Sequence, residues 1–308
     1  MDYGQGYLKD NGDTIELNLW GGSQIYIKSS KKYILVRDCG LFSNITVSMF
    51  AIFLLTINGY DVDDIELTMT DYFHNYNIYP LLFFKKDIKL SFEDISDEEI
   101  KFFVRNCHPT MCGLGLKDWG QIASTPQNFN LSITKKIIDR FYTPTDDVYD
   151  LYNKMLKEKD IINNDYIFIW ARKTDKIEET QVPSAQKYYE LLKEKNLLSS
   201  KIFIQTDDKT VFNDFSSLGL TFDHFKSIPF AKGYSFHRSI STTPDDIFYE
   251  DYSITKEEYV KQMICVVLLA VNAKLSFIYP GNPTTVVPMF KNTFDGCILF
   301  KDGINTFK

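Results

Sequence analysis

Cysteine is scarce in this chain. Five in 308 residues, an odd number without framework spacing, exclude a disulfide scaffold and fit a reducing compartment. Basic residues do not predominate either. With 34 Lys and Arg against 41 Asp and Glu the formal charge is −7, whereas a general binder of nucleic acid or anionic membrane carries a basic face. Long hydrophobic runs are also missing. The longest, Val47 to Ile57, is interrupted by Ser48 and Thr56 and falls short of the roughly 20 residues that a spanning helix needs. The opening Met1-Asp2-Tyr3-Gly4-Gln5-Gly6 has neither the basic nor the apolar part of a secretory leader. A cytoplasmic chain with no removed leader and no transmembrane anchor is therefore expected.

Signature motifs are few. Gly40 stands alone, without the other glycines of a nicotinamide fingerprint, and no Gly-x-Ser-x-Gly marks a hydrolase. Cys107, His108 and Cys112 offer three zinc ligands, but no fourth follows at regular spacing, and His74, His224 and His237 are remote in the chain. A structural zinc takes four ligands, so no metal site is expected. His237-Arg238 reads as a surface pair. What the chain has in quantity is aromatic side chains, 25 Phe, 19 Tyr and 3 Trp, enough to fill sizeable cores.

The order of elements is α/β. Tyr33-Ile34-Leu35-Val36-Arg37 reads as a buried strand, Asp38 to Asn44 as a turn, and Ile45 to Ile57 as an apolar helix closed by Asn58-Gly59. Ile65 to Met69 alternates, completing a β-α-β unit of the kind that builds a parallel sheet. Ser96-Asp97-Glu98-Glu99 is a capping box, and helical pattern returns at Thr134 to Arg140 and after Thr143-Pro144. Residues 107–130 carry no assignable pattern. Strands at 166–171, 202–205, 275–279 and 297–300 follow. Between them stand a helix opened by Pro183-Ser184 and another opened by the capping box Thr255-Lys256-Glu257-Glu258. There is no internal repeat and no low-complexity linker. The boundary falls between 141 and 165, giving domains 1–150 and 151–308.

Chemistry collects at strand ends. Ile167-Phe168-Ile169-Trp170-Ala171 runs straight into Arg172-Lys173-Thr174-Asp175-Lys176. Ligands of open α/β sheets sit beyond the carboxyl ends of strands, and a guanidinium there suits a bidentate grip on phosphate. The bland alternative is a solvated loop. Glu178 and Glu179 follow and offer a general base for an acceptor hydroxyl. The next strand, Ile202-Phe203-Ile204-Gln205, ends in Thr206-Asp207-Asp208. That acidic pair could hold magnesium with substrate phosphates, cap a helix, or hydrogen-bond to the ligand or to Arg172. The non-metal roles are favoured, because two cations already serve the phosphate. The turn through Cys39-Gly40 before an apolar helix offers exposed backbone N–H groups to an anion.

Together these segments resemble the fucosyltransferases that include the alpha-1,6-fucosyltransferases, their bacterial nodulation relatives and the protein O-fucosyltransferases. Arg172 to Lys176 is similar to that family's Arg-Arg-Thr-Asp-Lys after a strand. Pro183 to Leu192 resembles its Tyr-bearing helix, and Ile202 to Asp208 its strand ending in Thr-Asp-Asp. Arg140 to Met155, Asp38-Cys39-Gly40 and Leu275 to Asn282 follow the family in order and spacing.

The resemblance implies a GT-B architecture: two Rossmann-like domains with parallel sheets facing a cleft, an acceptor-side domain at 1–150 and a nucleotide-sugar-binding domain at 151–308. It implies an inverting, metal-independent glycosyltransferase with no cofactor, transferring fucose from GDP-fucose to a glycan or protein hydroxyl. Arg172, Asp175, Lys176, Glu178 and Glu179 would be catalytic. Cys39, Gly40, Trp170, Arg172, Asp207, Asp208, Gly281 and Asn282 would hold the donor.

Departures mark the nucleoside end. Trp170 stands where the family has His, Phe42 where a second turn glycine is expected, and Thr180 where the base glutamate falls in strict register. The late helix, Met263 to Val271, is apolar where a guanine-reading carboxylate is expected. A different donor sugar, or an inactive binding or structural protein of the same fold, are the alternatives. A cytosolic acceptor, in a bacterium or in the host of a large virus, fits the missing anchor.

Overall fold

In the computed structural model of the chain the described residues are 7–19, 22–35, 40–69, 76–106, 131–161, 164–171, 183–224, 253–278, 282–301 and 304–305. The chain is an α/β protein that divides into two compact units, Met1–Thr145 and Asp146–Lys308.

The first unit opens with strands. In β2 (Thr14–Leu19) Ile15, Leu17 and Leu19 are buried and the residues between them are less so, the alternation of a sheet covered on one face. β1 (Leu8–Asp10), β2, β3 (Gly22–Ile27) and β4 (Lys32–Leu35) pair antiparallel in that order. Helix α1 (Leu41–Ile57) then leads to β5 (Glu66–Thr68), which pairs parallel with β4. The parallel sheet expected of this domain is thus confined, among the described residues, to β4–α1–β5, set on an antiparallel meander. The reason is connection length. The turn from Ile27 to Lys32, with Lys31 in the left-handed region at φ 50°, is too short for the crossover that parallel strands require.

Helix α1 is apolar almost all round and is buried on nearly every side. Its internal hydroxyls are satisfied locally: Thr46 Oγ1 donates to the Phe42 carbonyl at 3.0 Å, and Ser48 Oγ sits 2.6 Å from Tyr142 OH. Around Phe53 the rings of Phe50, Phe92 and Phe103 lie at 6.3, 5.3 and 4.8 Å. Short helices α2 (Tyr79–Leu82) and α3 (Asp97–Asn106) follow, then α4 (Leu131–Phe141). The capping box at α3 is formed, with Glu99 Oε2 accepting from Ser96 N and Glu99 N donating to Ser96 Oγ. A two-stranded pairing of β6 (Phe83–Phe84) with β7 (Thr143–Pro144) ends the unit.

The second unit begins with α5 (Asp146–Glu158) and contains β8 (Tyr166–Ala171), α6 (Ala185–Glu194), β9 (Lys201–Thr206), α7 (Thr210–Ser217), α8 (Lys256–Asn272), β10 (Leu275–Ile278), α9 (Asn282–Lys291), β11 (Cys297–Lys301) and β12 (Ile304–Asn305). The strand order is β12-β11-β10-β8-β9. All pairs are parallel except β11 with β12. β8 is buried at every residue, as a parallel strand covered on both faces must be.

Side chains alternate between those two faces. Ile167, Ile169, Ile202 and Ile204 join Tyr188 and Leu192 of α6 and Val211 and Phe215 of α7 in one core. Each such side chain, fully buried, contributes about 1.5–3 kcal/mol. The other face meets α8: Tyr166 OH donates to the Leu269 carbonyl at 2.7 Å, and Ser276 Oγ donates to that of Ala270. α8 in turn holds α5, through Lys261 Nζ to Asp147 Oδ2 at 2.8 Å and Asn272 Nδ2 to Tyr152 OH at 3.1 Å, and packs on α9. Helices therefore cover both faces of a doubly wound parallel sheet.

Candidate functional site

Winding direction locates the crevice. From β8 the chain steps outward to β9, crosses back through α8 to β10 on the other side of β8, and continues outward to β11. The direction reverses between β8 and β10, so the strands that follow them in the chain, β9 and β11, lie on opposite sides of the pair. That is the topological switch point at which open α/β sheets bind ligands. Ala171 ends β8 on one side of it, and Ile278 ends β10 on the other.

Most of the expected donor-site residues follow these strands in the chain. Arg172, Asp175, Lys176, Glu178 and Glu179, next after β8, lie outside the described residues, as do Cys39 and Gly281. Asn282 is the first residue of α9, after β10. Trp170 is described, and it is buried at 4 % exposure. It is directed to the α8 face with Tyr166 and Phe168, edge-on to the Phe168 ring at 6.1 Å. A ring so enclosed is part of the wall rather than an open stacking platform.

The acidic pair comes from the neighbouring strand, because Ala171 is in register with Thr206. Asp208 is engaged at the start of α7. Its Oδ1 accepts from Thr210 N at 2.8 Å, and its own N donates to Thr206 Oγ1 at 3.1 Å. This is an Asx turn leading into the helix; the N-cap itself is Lys209, which makes no side-chain cap hydrogen bond. Asp207 precedes it, half-buried. Among the described residues no group of three or more His, Cys, Asp and Glu side chains is placed to hold a metal ion, and Cys107, His108 and Cys112 lie outside them.

Gly40 is the N-cap of α1, extended at φ −61° and ψ 149°, with its carbonyl accepting from Asn44 N at 3.0 Å. It belongs to the first unit, and the strand-end groups belong to the second.

Two polar side chains that sequence reading passes over are buried in the second unit. Gln205 is the register partner of Trp170 on β9, and it is only 7 % exposed. Gln262, on α8, is 6 % exposed. Gln262 follows Lys261 and Gln205 precedes Thr206-Asp207-Asp208, so each reads as one more polar residue until the strand and helix faces are assigned.

The NodZ alpha-1,6-fucosyltransferase co-crystallised with GDP superposes with a TM-score of 0.50 at 12% identity, over 90% of this chain and 96% of that one. The chain shares the fold of that structure. Fucosyltransferase NodZ from Bradyrhizobium matches with a TM-score of 0.49 at 11% identity, over 86% and 93% of the two chains. A mutant of Arabidopsis thaliana FUT1 in complex with GDP matches with 0.42 at 12%, over 86% and 69%. No protein-family model matches the sequence, and no curated protein matches it. No helix among the described residues is long and apolar enough to cross a membrane.

Proposed function

We propose that the chain is an inverting, metal-independent glycosyltransferase that takes its donor at the carboxyl ends of β8 and β10. GDP-fucose is the favoured donor, and a glycan or protein hydroxyl the acceptor. One observation carries this reading: the strand bordering the switch point, β8, is the strand that Arg172-Lys173-Thr174-Asp175-Lys176 follows in the chain. The likeness of fold to a fucosyltransferase crystallised with GDP supports it.

In the proposed reaction the acceptor oxygen attacks the anomeric carbon as the bond to the β-phosphate oxygen breaks. The electron pair leaves with the diphosphate, and the acceptor proton passes to Glu178 or Glu179. Arg172 and Lys176 stabilise the charge that develops on the leaving group, and Asp175 orients them. Asp207, Gly281 and Asn282 line the donor, and Trp170 walls the nucleoside end. The second unit is the donor domain and the first the acceptor side.

Calorimetry with GDP, UDP and their sugars tests the reading. Wild type should bind at least one nucleoside diphosphate, and Arg172→Ala should weaken that binding roughly tenfold or more, the scale of a lost charge-assisted bidentate contact. No nucleotide binding by wild type sinks the proposal. Turnover abolished by a chelator would remove its metal-independent part.

A further inference from the structure

Four large apolar side chains are exposed among the described residues: Tyr76, Phe84, Ile88 and Tyr149, at 43, 43, 45 and 40 %. Scattered singly, such side chains are ordinary. Three of these four are grouped with charges of one sign. Phe84 and Ile88 belong to one exposed run, Phe84-Lys85-Lys86-Asp87-Ile88-Lys89, set between buried Phe83 and buried Leu90. Tyr149 stands on α5 with exposed Asp146 and Asp150.

The run is held firmly. Alternation on β6 turns Phe83 inward, edge-on to the Tyr142 ring at 5.3 Å, and Phe84 outward. Lys86 N donates to the Arg140 carbonyl at 2.7 Å, and Ile88 N to that of Lys86 at 2.9 Å. Lys85 Nζ donates to the Asp63 carbonyl at 2.9 Å. Lys86 and Lys89 make no ion pair among the described residues, and Asp87 is the one acid in the run. The face is thus basic and apolar, on a chain whose formal charge is −7.

Helix α5 offers the converse. Val148, Tyr152 and Met155 are its buried side. Asp146, Tyr149 and Asp150, spaced three and four apart, are neighbours on the other side. Asp147 is engaged by Lys261 Nζ at 2.8 Å, but Asp146 and Asp150 make no ion pair among the described residues. This face is acidic around one exposed ring.

We propose that the two faces dock on each other between two copies of this chain, the α5 face of one protomer on the 84–89 face of its partner. Apolar side chains at the middle and unpaired charges at the rim are the anatomy of a protein interface. Lys86 and Lys89 then meet Asp146 and Asp150, which steers the encounter and opposes docking of like on like. Exchange of the contact about a two-fold axis closes the pair and makes the contact twice, the commonest arrangement of oligomers. An anionic membrane would suit the first face alone. It would repel the acidic chain as a whole and leave the α5 face unmatched. Both faces are small, so the dimer belongs to the weak and salt-sensitive class.

Sedimentation velocity on the full chain across the micromolar range tests this. Wild type should dimerise with rising concentration and return to monomer at high salt. Lys86→Glu with Lys89→Glu, and separately Asp150→Lys, should each weaken dimerisation roughly tenfold or more. The reversal is placed at Asp150 because Asp146 is in the first turn of α5, where a carboxylate stabilises the helix. Mixed in equal amounts, the two variants should pair with each other as wild type does, since every contact in the mixed dimer again joins opposite charges. Phe84→Ser should weaken dimerisation with little change in Tm. A wild type that stays monomeric overturns the proposal, as does a mixture that associates no better than either variant alone. A lower Tm in the variants with unchanged self-association also overturns it, because the side chains would then act within one chain. Capture of a monomeric wild type by vesicles of anionic phospholipid overturns it in favour of a membrane surface.

Discussion

Asp61 shows how single side chains are tuned here. Its carboxyl is held below the usual range, chiefly by the hydrogen bond from Lys31 Nζ at 2.5 Å and then by the Asp63 backbone N–H at 2.9 Å. Lys31 is correspondingly raised by Asp61 and Asp64. A carboxylate whose pKa is lowered by folding adds stability above its unfolded value, near 3.9, and loses it as the pH falls through the folded value. Lys31→Met should therefore be less stable than wild type at neutral pH. The difference should shrink as the pH falls through the lowered value of the carboxyl, as measured by urea denaturation at neutral and at acid pH. A difference that persists undiminished in acid would show that Lys31 acts through packing. At this scale the sequence is only partly legible. Arg172 is visible as a cation after a strand, but Trp170 resembles a ligand contact until its burial is known, and Gln262 is invisible until the helix face is.

Elements were far more readable, where local chemistry decides them. The box at Thr255 is complete, with Glu258 N donating to Thr255 Oγ1 at 3.1 Å and Thr255 N donating to Glu258 Oε2 at 2.8 Å. Ser184 caps α6 in the same manner, accepting from Lys187 N. Thr255→Ala should cost about 1 kcal/mol in chemical denaturation, and Thr255→Ser almost nothing. Equal losses from both would show that the hydroxyl is not what matters. The strands at 166–171, 202–205 and 275–278 could be read because parallel strands are continuous apolar runs. Helix α9 could not, because Pro283 and Pro288 lie within it and its polar start reads as a loop. A proline at a helix start costs little, since the first N–H groups have no partner there anyway. β2 carries a plain alternation, yet it is short and polar on one side, so it stands out less than the apolar α1.

For the whole molecule, α/β order was legible and the sheet's handedness of pairing was not. The meander in the first unit depends on a turn, and the switch point in the second depends on which side of β8 receives β10. Neither is written in any one segment. Each unit has its own buried core, which is what independent folding requires. A fragment of residues 146–308 should therefore unfold cooperatively on heating and bind the same nucleoside diphosphate as the full chain. A cooperative fragment without that affinity would show that the donor site needs the first unit.

The return of α8 across the sheet also sets an order of assembly. β8, α6 and β9 are neighbours in sequence and can form from nearby contacts. β10 and α8 reach β8 only across long separations, 103 residues in the case of Tyr166 and Leu269. Contacts that close so long a stretch of chain are late and slow. A chain still being synthesised would thus carry the β8 strand and the Arg172 segment well before it had a crevice. On the proposed function, ligand binding waits for that pairing, and a nucleotide added during refolding should report completion of the sheet rather than its beginning.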